Sequence, residues 1–135
     1  MVMKRNHILI VEDEESLLKL ESILLSSKGF KVVGVMDGTA AMEEINRNPP
    51  DLVILDIMLP GIDGFEVCRR IKSNPDTSAI VVVMLTAKKN SQDMERGTAV
   101  GADAYITKPF KSAQLIGTIE RLLRQQVVAV SKGLP

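Results

Sequence analysis

Five side chains with the chemistry to handle a phosphoryl group stand directly after short apolar segments of the chain. They are, in chain order, Glu12, Asp13, Asp56, Thr86 and Lys108. Carboxylates gathered in one place raise one another's pKa, so such a cluster needs cations to balance it. Lysine supplies one positive charge, and an all-oxygen ligand set favours Mg²⁺ over Zn²⁺ as the source of the rest. An aspartate oxygen beside such cations is able to attack phosphorus and form an aspartyl phosphate.

Each of these residues also has an ordinary structural explanation when it is taken alone. Glu12 and Asp13 suit the positive end of the helix that follows them, and Asp56 suits a turn. Thr86 suits a helix or turn cap, and Lys108 suits a solvated surface position. The chemical interpretation is favoured because four separate segment ends each carry a fitting group.

The apolar segments have the length and the β-branched content of buried strands. They are Ile8–Val11, Val32–Val35, Leu52–Leu55, Ile80–Leu85 and Ala104–Ile106. Most of them lack polar alternation, which predicts strands covered on both faces, as in a parallel sheet. Helical patterns alternate with them, at about residues 15–28, 37–46, 64–72, 90–100 and 111–126. This order predicts a doubly wound (βα)5 domain of the α/β class with right-handed crossovers.

The predicted sheet explains how residues far apart in the chain would meet. Open parallel sheets bind ligands beyond the carboxyl ends of their strands. The polar residues listed above all follow such ends, so they converge on one edge of the sheet. The chain length of 135 residues indicates one domain, covering residues 1–126. Residues 127–135 fit no element and are interpreted as a C-terminal tail or the start of a linker.

Composition excludes several classes of function. Basic and acidic residues balance at 17 each, and aromatic residues make up only 3%. Neither value favours direct binding of nucleic acid or of an anionic membrane. Cys68 is the single cysteine, which fits a reducing cytosol and a packed apolar position. The sequence shows no signal peptide and no membrane span, so we expect a cytoplasmic location.

Four segments together resemble the receiver domain of bacterial two-component response regulators, including the chemotaxis type. They are ILIVEDEE at residues 8–15, DLVILDIMLPGIDG at 51–64, VMLTA at 83–87 and GADAYITKPF at 101–110. The resemblance covers about His7 to Gln126. It implies a flavodoxin-like fold with five parallel strands in the order 2-1-3-4-5.

The resemblance also implies roles at the site. Asp56 would accept a phosphoryl group from the phosphohistidine of a sensor histidine kinase or phosphotransfer protein. Asp13 and Asp56 would bind Mg²⁺ through carboxylates. Met58 would bind it through its backbone carbonyl, and Glu12 would act through a metal-bound water. The domain would be a signalling phosphoprotein rather than a classical enzyme, with self-assisted phosphotransfer and autodephosphorylation.

A conformational switch follows from the same resemblance. Lys108 and Thr86 would contact the phosphoryl group, and Thr86 would move with it. Tyr105 would turn inward into the space that Thr86 leaves. The small Ala87 leaves room for this motion, and the Lys108–Pro109 bond would be cis. The surface formed by the fourth helix, the fifth strand and the fifth helix would then change its affinity for a partner.

The partner and the phosphoryl lifetime depend on residues that vary within the family. Ala104, Gln114 and Thr118 stand where relatives that dimerise to bind DNA tend to carry charged residues. We therefore do not expect that mode of dimerisation, and output to a downstream protein or to an attached domain that does not bind DNA is favoured at least as much as output through DNA binding. Met58 and Lys88 occupy positions that tune phosphoryl lifetime, and the bulky apolar Met58 is expected to restrain attacking water.

Three alternatives compete with this interpretation. A haloacid-dehalogenase-like phosphatase needs a second acid two residues after its nucleophile, where this chain has Met58. A nucleotide or flavin module needs a glycine-rich loop after the first strand, where Glu12 and Asp13 would repel phosphate. An unphosphorylated pseudo-receiver would serve only as an interaction module, and the complete set of site residues argues against it.

Overall fold

Five strands alternate with five helices along the chain. The computed structural model describes residues 7–87 and 91–133. The strands are β1 His7–Val11, β2 Lys31–Val35, β3 Leu52–Asp56, β4 Val81–Thr86 and β5 Ala104–Thr107. The helices are α1 Glu15–Ser27, α2 Gly38–Arg47, α3 Gly64–Ser73, α4 Ser91–Ala99 and α5 Ser112–Gly133. The predicted (βα)5 order is confirmed.

The strands form one parallel sheet in the order β2-β1-β3-β4-β5. This order confirms the predicted doubly wound fold. It places β1 and β3 side by side at the centre, where the strand order reverses, and a ligand site is expected beyond their carboxyl ends.

The core lies on both faces of the sheet. Leu9 and Val11 point into an apolar cluster shared with α2 and α3, whereas Ile8 and Ile10 point into one shared with α1 and α5. Strands β3 and β4 are buried along their whole length, as their unbroken apolar sequences predict. Cys68 is buried in the first cluster, and burial raises the pKa of its thiol to about 11. Its predicted packed position is confirmed.

Aspartate caps set the starts of two helices, α2 and α3. The Asp37 carboxylate accepts a hydrogen bond from the Ala40 amide at 2.7 Å, and α2 begins at the next residue. The Asp63 carboxylate accepts one from the Glu66 amide at 2.9 Å at the start of α3. Such caps satisfy backbone donors that the first turn of a helix leaves free.

The fifth helix is longer than predicted. It continues to Gly133, so the interpretation that residues 127–135 fit no element is wrong for residues 127–133. The reason lies in residues 127–132, which include neither proline nor glycine. Nothing therefore stops a helix that α5 has already nucleated. Within the described residues, no helix is long and apolar enough to cross a membrane.

Gly64 allows α3 to begin directly against the end of β3. A Cβ atom at this position would lie 2.4 Å from the Asp56 carbonyl oxygen and 2.8 Å from Ile57 Cα. The Gly64 amide donates a hydrogen bond to the Ile57 carbonyl at 3.1 Å. Only glycine fits this close approach of two backbones, so Gly64 fixes the backbone that carries Asp56.

We expect Gly64→Ala to lower the free energy of unfolding by about 1–3 kcal/mol, because the added methyl group has to displace backbone atoms. Gly117→Ala is the matched control, since a Cβ atom on α5 at Gly117 meets nothing within 4 Å. The control should be neutral or stabilising by up to about 1 kcal/mol. Urea unfolding of both variants checks this, and equal stabilities would contradict it.

Candidate functional site

The predicted polar residues converge at the carboxyl edge of the sheet. Strand register sets Val11 beside Leu55, and Asp56 beside Leu85, so the residues that follow β1 lie next to the end of β3. One carboxylate oxygen from each of Glu12, Asp13 and Asp56 lies within 4.8 Å of the other two. These three acids therefore form a single cluster, although Glu12 and Asp56 are 44 residues apart in the chain.

Lys108 joins this cluster from the loop after β5. Its Nζ lies 2.7 Å from Asp56 Oδ2 and 3.0 Å from Glu12 Oε1. Burial acts to lower the pKa of Lys108, but the hydrogen bonds to Asp56 and Glu12 raise it overall. The ammonium group therefore stays charged and neutralises part of the acidic cluster. The Lys108–Pro109 bond that leads away from it is cis, as the resemblance implied.

Glu12 is the most deeply buried acid of the cluster. Burial raises its pKa to about 7, with a further contribution from the hydrogen bond to Asp56, while Lys108 acts in the opposite direction. Its second carboxylate oxygen accepts a hydrogen bond from the Glu14 amide at 3.3 Å. One lysine is thus insufficient to keep Glu12 fully ionised near neutral pH, and a further cation would do so.

Asp56 is buried at the end of β3, with both carboxylate oxygens hydrogen-bonded. Oδ2 faces Lys108, and Oδ1 accepts a hydrogen bond from the Met58 amide at 2.9 Å. Asp13 is exposed at the mouth of the cluster. The Met58 side chain is also exposed, to 74%, so it stands over the mouth rather than inside the core.

The two predicted switch residues lie on neighbouring strands. Thr86 is buried at the end of β4, and its carbonyl accepts a hydrogen bond from the Lys108 amide at 2.7 Å. Tyr105 pairs with Met84 in the register of β4 and β5. The Tyr105 hydroxyl donates a hydrogen bond to the Met94 carbonyl of α4 at 2.9 Å. The ring is therefore held against α4.

An open cleft beside the acids leads toward α4. It is lined by Asp13, Met58, Asp63, Phe65 and Arg96, among others. The Arg96 guanidinium lies over the Phe65 ring, 4.2 Å from its centroid, and 3.9 Å from Asp63 Oδ2. A cation–π contact of this kind is worth about 0.5–1 kcal/mol at an exposed site. It connects α4 to α3 next to the cluster.

Comparison with known proteins agrees with this geometry. The model of the response regulator receiver domain family matches residues 8–120. The chain belongs to this family. The CheY4 chemotaxis response regulator of Vibrio cholerae superposes with a TM-score of 0.83 at 27% identity, covering 87% of this chain and 98% of CheY4. The signal receiver domain of a signal transduction histidine kinase from Syntrophus aciditrophicus gives 0.84 at 35% identity, covering 89% and 91%.

Relatives by sequence are longer than this receiver domain. The phosphate regulon transcriptional regulatory protein PhoB of Rhizobium meliloti is 41% identical over 118 residues, which cover 87% of this chain and 52% of PhoB. The DNA-binding response regulator MtrA of Mycobacterium tuberculosis is 41% identical over 121 residues, which cover 90% and 52%. The chain thus spans about half the length of these relatives.

Sequence reasoning missed one acidic residue close to the site. Glu21 is fully buried on α1, between Leu18 and Leu25 on the face that packs against the sheet. Neither of its carboxylate oxygens has a hydrogen-bond partner among the described residues. Its position three residues after Leu18 and four before Leu25 was the available signal. Lys88, predicted to tune phosphoryl lifetime, lies outside the described residues.

Burial raises the pKa of Glu21 to about 8, from an ordinary value of 4.5, and the negative charge of Glu12 contributes. At pH values between 4.5 and about 8, the Glu21 carboxyl is protonated in the folded domain but has lost its proton in the unfolded chain. The free energy of unfolding therefore falls as pH rises through this window. One unit of pKa corresponds to about 1.4 kcal/mol, so the loss between about pH 5 and pH 8 is on the order of 3 kcal/mol.

We expect Glu21→Leu and Glu21→Gln to remove this fall in stability, because neither side chain titrates. Urea unfolding at a series of pH values, with a chelator present, measures the difference from the unchanged domain. Glu120→Gln, an exposed position on α5, is the control and should keep the original pH dependence. Parallel pH curves for Glu21→Leu and the unchanged domain would show that the Glu21 carboxyl is not held protonated.

Proposed function

We propose that this receiver domain accepts a phosphoryl group on Asp56 and uses it to switch a protein-binding surface. The observation that carries the proposal is the Lys108 ammonium, 2.7 Å from Asp56 Oδ2 within a cluster of three acids. A lysine and a nucleophilic carboxylate held together supply both the attacking oxygen and the charge that the transfer needs. Membership of the receiver family supports the same function.

The donor in this proposal is a phosphohistidine of a sensor histidine kinase or phosphotransfer protein. An Asp56 carboxylate oxygen attacks phosphorus, the new P–O bond forms, and the P–N bond breaks. The imidazole leaves with the electron pair of that bond. Lys108 balances the negative charge on the phosphoryl oxygens, and the Thr86 hydroxyl hydrogen-bonds one of them. Later attack by water on phosphorus breaks the P–O bond to Asp56, releases inorganic phosphate and restores the Asp56 carboxylate.

Mg²⁺ fits the donor set at this site. All candidate ligands are oxygens, the three carboxylates lie within 4.8 Å of one another, and Lys108 offsets only part of their charge. When bound, Mg²⁺ would neutralise phosphoryl oxygens and orient them for in-line attack. We propose Asp13 and Asp56 as carboxylate ligands and the Met58 carbonyl as a third. Glu12 would hold a metal-bound water.

Output in this proposal passes through the surface formed by α4, β5 and α5. Thr86 moves toward the phosphoryl group, and Tyr105 follows it inward. The surface then binds a downstream protein or an attached output domain. Ala104, Gln114 and Thr118 on this surface lack charge, which supports a partner other than a second receiver held by ion pairs. Residues 127–135, of which 127–133 continue α5, would lead into a tail or the start of a linker, in a cytoplasmic protein.

Incubation with Mg²⁺ and acetyl phosphate should add the mass of one phosphoryl group in an acid-stable, base-labile form. We expect Asp56→Asn to abolish the gain, because an amide cannot form the acyl phosphate. A chelator should abolish it as well. Intact-protein mass spectrometry measures the change.

The control for this experiment is Asp76→Asn, in the exposed turn after α3, which should be modified like the unchanged domain. Absence of modification in the unchanged domain, or equal modification of Asp56→Asn, would refute the proposal.

Met58 is expected to lengthen the life of the phosphoryl group, because its exposed apolar side chain stands at the mouth of the site. Met58→Asn should speed dephosphorylation on the order of tenfold, since an amide there can position attacking water. Decay of the phosphorylated form, followed by mass or radiolabel, gives the rate. Met36→Asn, another exposed methionine, controls for the substitution, and identical lifetimes would rule out this role.

A further inference from the structure

Helix α4 carries a gap that the Tyr105 ring fills. A Cβ atom built on Gly97 would lie 1.4 Å from the Tyr105 hydroxyl oxygen, 2.4 Å from Cζ and 2.8 Å from Cε1. No residue other than glycine at position 97 leaves room for the ring in this position. Gly97 is also buried, whereas most of the other described residues of α4 are exposed. The ring and the helix therefore contact each other directly at the Gly97 backbone.

The hydroxyl end of the ring is held by a polar contact in the same gap. The Tyr105 hydroxyl donates to the Met94 carbonyl at 2.9 Å, and the Thr98 hydroxyl donates to the same carbonyl at 2.9 Å. This carbonyl lies one helical turn before Thr98, and the Tyr105 hydroxyl that reaches it occupies the space where a Cβ atom of residue 97 would lie. A residue with a side chain at position 97 would remove both the space and the approach to Met94.

We propose that Gly97 is the positioning residue of the switch: it forms a seat on α4 that holds Tyr105 outward before phosphorylation, and Tyr105 leaves that seat when Asp56 is phosphorylated. The inference rests on the proposed function and adds the residue that defines one of its two states. While the ring is seated, β5 and α4 are joined by the hydrogen bond to Met94. When the ring leaves, α4 loses that bond, and the surface it shares with β5 and α5 changes.

The chain itself supplies a clean probe of this motion. Tyr105 is the single tyrosine, and there is no tryptophan. Intrinsic fluorescence therefore reports on this one ring. A phenol that donates to a carbonyl and is half-buried should emit weakly and be shielded from a soluble quencher. A ring that leaves the seat should change in both respects.

The first test compares the unchanged domain with Gly97→Ala before and after addition of Mg²⁺ and beryllofluoride, a mimic of the phosphoryl group. We expect beryllofluoride to change the emission and the acrylamide quenching of the unchanged domain. Before any addition, the quenching constant of Gly97→Ala should differ about twofold from that of the unchanged domain, because the added methyl group occupies the space of the Tyr105 ring. Beryllofluoride should then have little further effect on the ring.

Binding of beryllofluoride is followed separately by fluorine NMR, so that the two proposals fail in distinguishable ways. If the unchanged domain binds no beryllofluoride, the proposed function fails. If beryllofluoride binds and Tyr105 fluorescence is unmoved, or if Gly97→Ala responds as the unchanged domain does, the seat is refuted and the phosphoryl site stands.

A second test compares Gly97→Ala in two backgrounds, with and without Tyr105, so that loss of folding in the first background counts as the expected destabilisation. In the domain with Tyr105, Gly97→Ala should lower the midpoint of thermal unfolding, because the methyl group and the ring overlap. In the Tyr105→Ala background the same change should raise it, since alanine favours helix over glycine. Gly117→Ala, with nothing near its Cβ, should raise the midpoint in both backgrounds. A rise for Gly97→Ala in both would overturn the inference.

Discussion

The ammonium group of Lys108 between Asp56 and Glu12 is the interaction on which the site depends. Both acids are buried, and without a cation their charges would repel each other in a medium that solvates them poorly. Lys108 is 52 residues from Asp56 and 96 from Glu12 along the chain. Only a correctly ordered sheet brings the ends of β1, β3 and β5 together. The charge balance of the site therefore depends on the fold.

A rigid site and a less firmly attached helix divide the molecule into two parts. Strands β3 and β4 are buried throughout, and the backbone at Asp56 is pressed against Gly64. Helix α4, in contrast, is mostly exposed, and its described links to the rest include one cation–π contact and the hydrogen bond from Tyr105. Local opening costs least where few apolar contacts hold an element. A change of charge at the rigid part would therefore be expressed at α4.

The order of elements and the convergence of polar residues were predictable, because continuous β-branched segments and strand-end polarity are local patterns. Features that depend on how two elements meet were not. On α1, for example, Leu20 is 52% exposed and Glu21 is buried, which is the reverse of what their polarities favour. The contact of Gly97 with Tyr105 depends on the spacing between α4 and β5, which no local pattern of the sequence reports. The continuation of α5 was predictable in principle, because residues 127–132 contain no helix-breaking residue.

The strength of the Tyr105 seat suits a switch. Its polar part is one hydrogen bond, with a net worth of about 1 kcal/mol, and the ring is only partly buried. A two-state element responds to a ligand only if its states differ by a few kcal/mol, since larger gaps exceed the differential affinity available. The path is also short, because Thr86 and Tyr105 lie on paired strands, with Met84 beside Tyr105 and Thr107 beside Thr86. A fully apolar seat in the core would hold the ring too tightly for a phosphoryl group one strand away to release it.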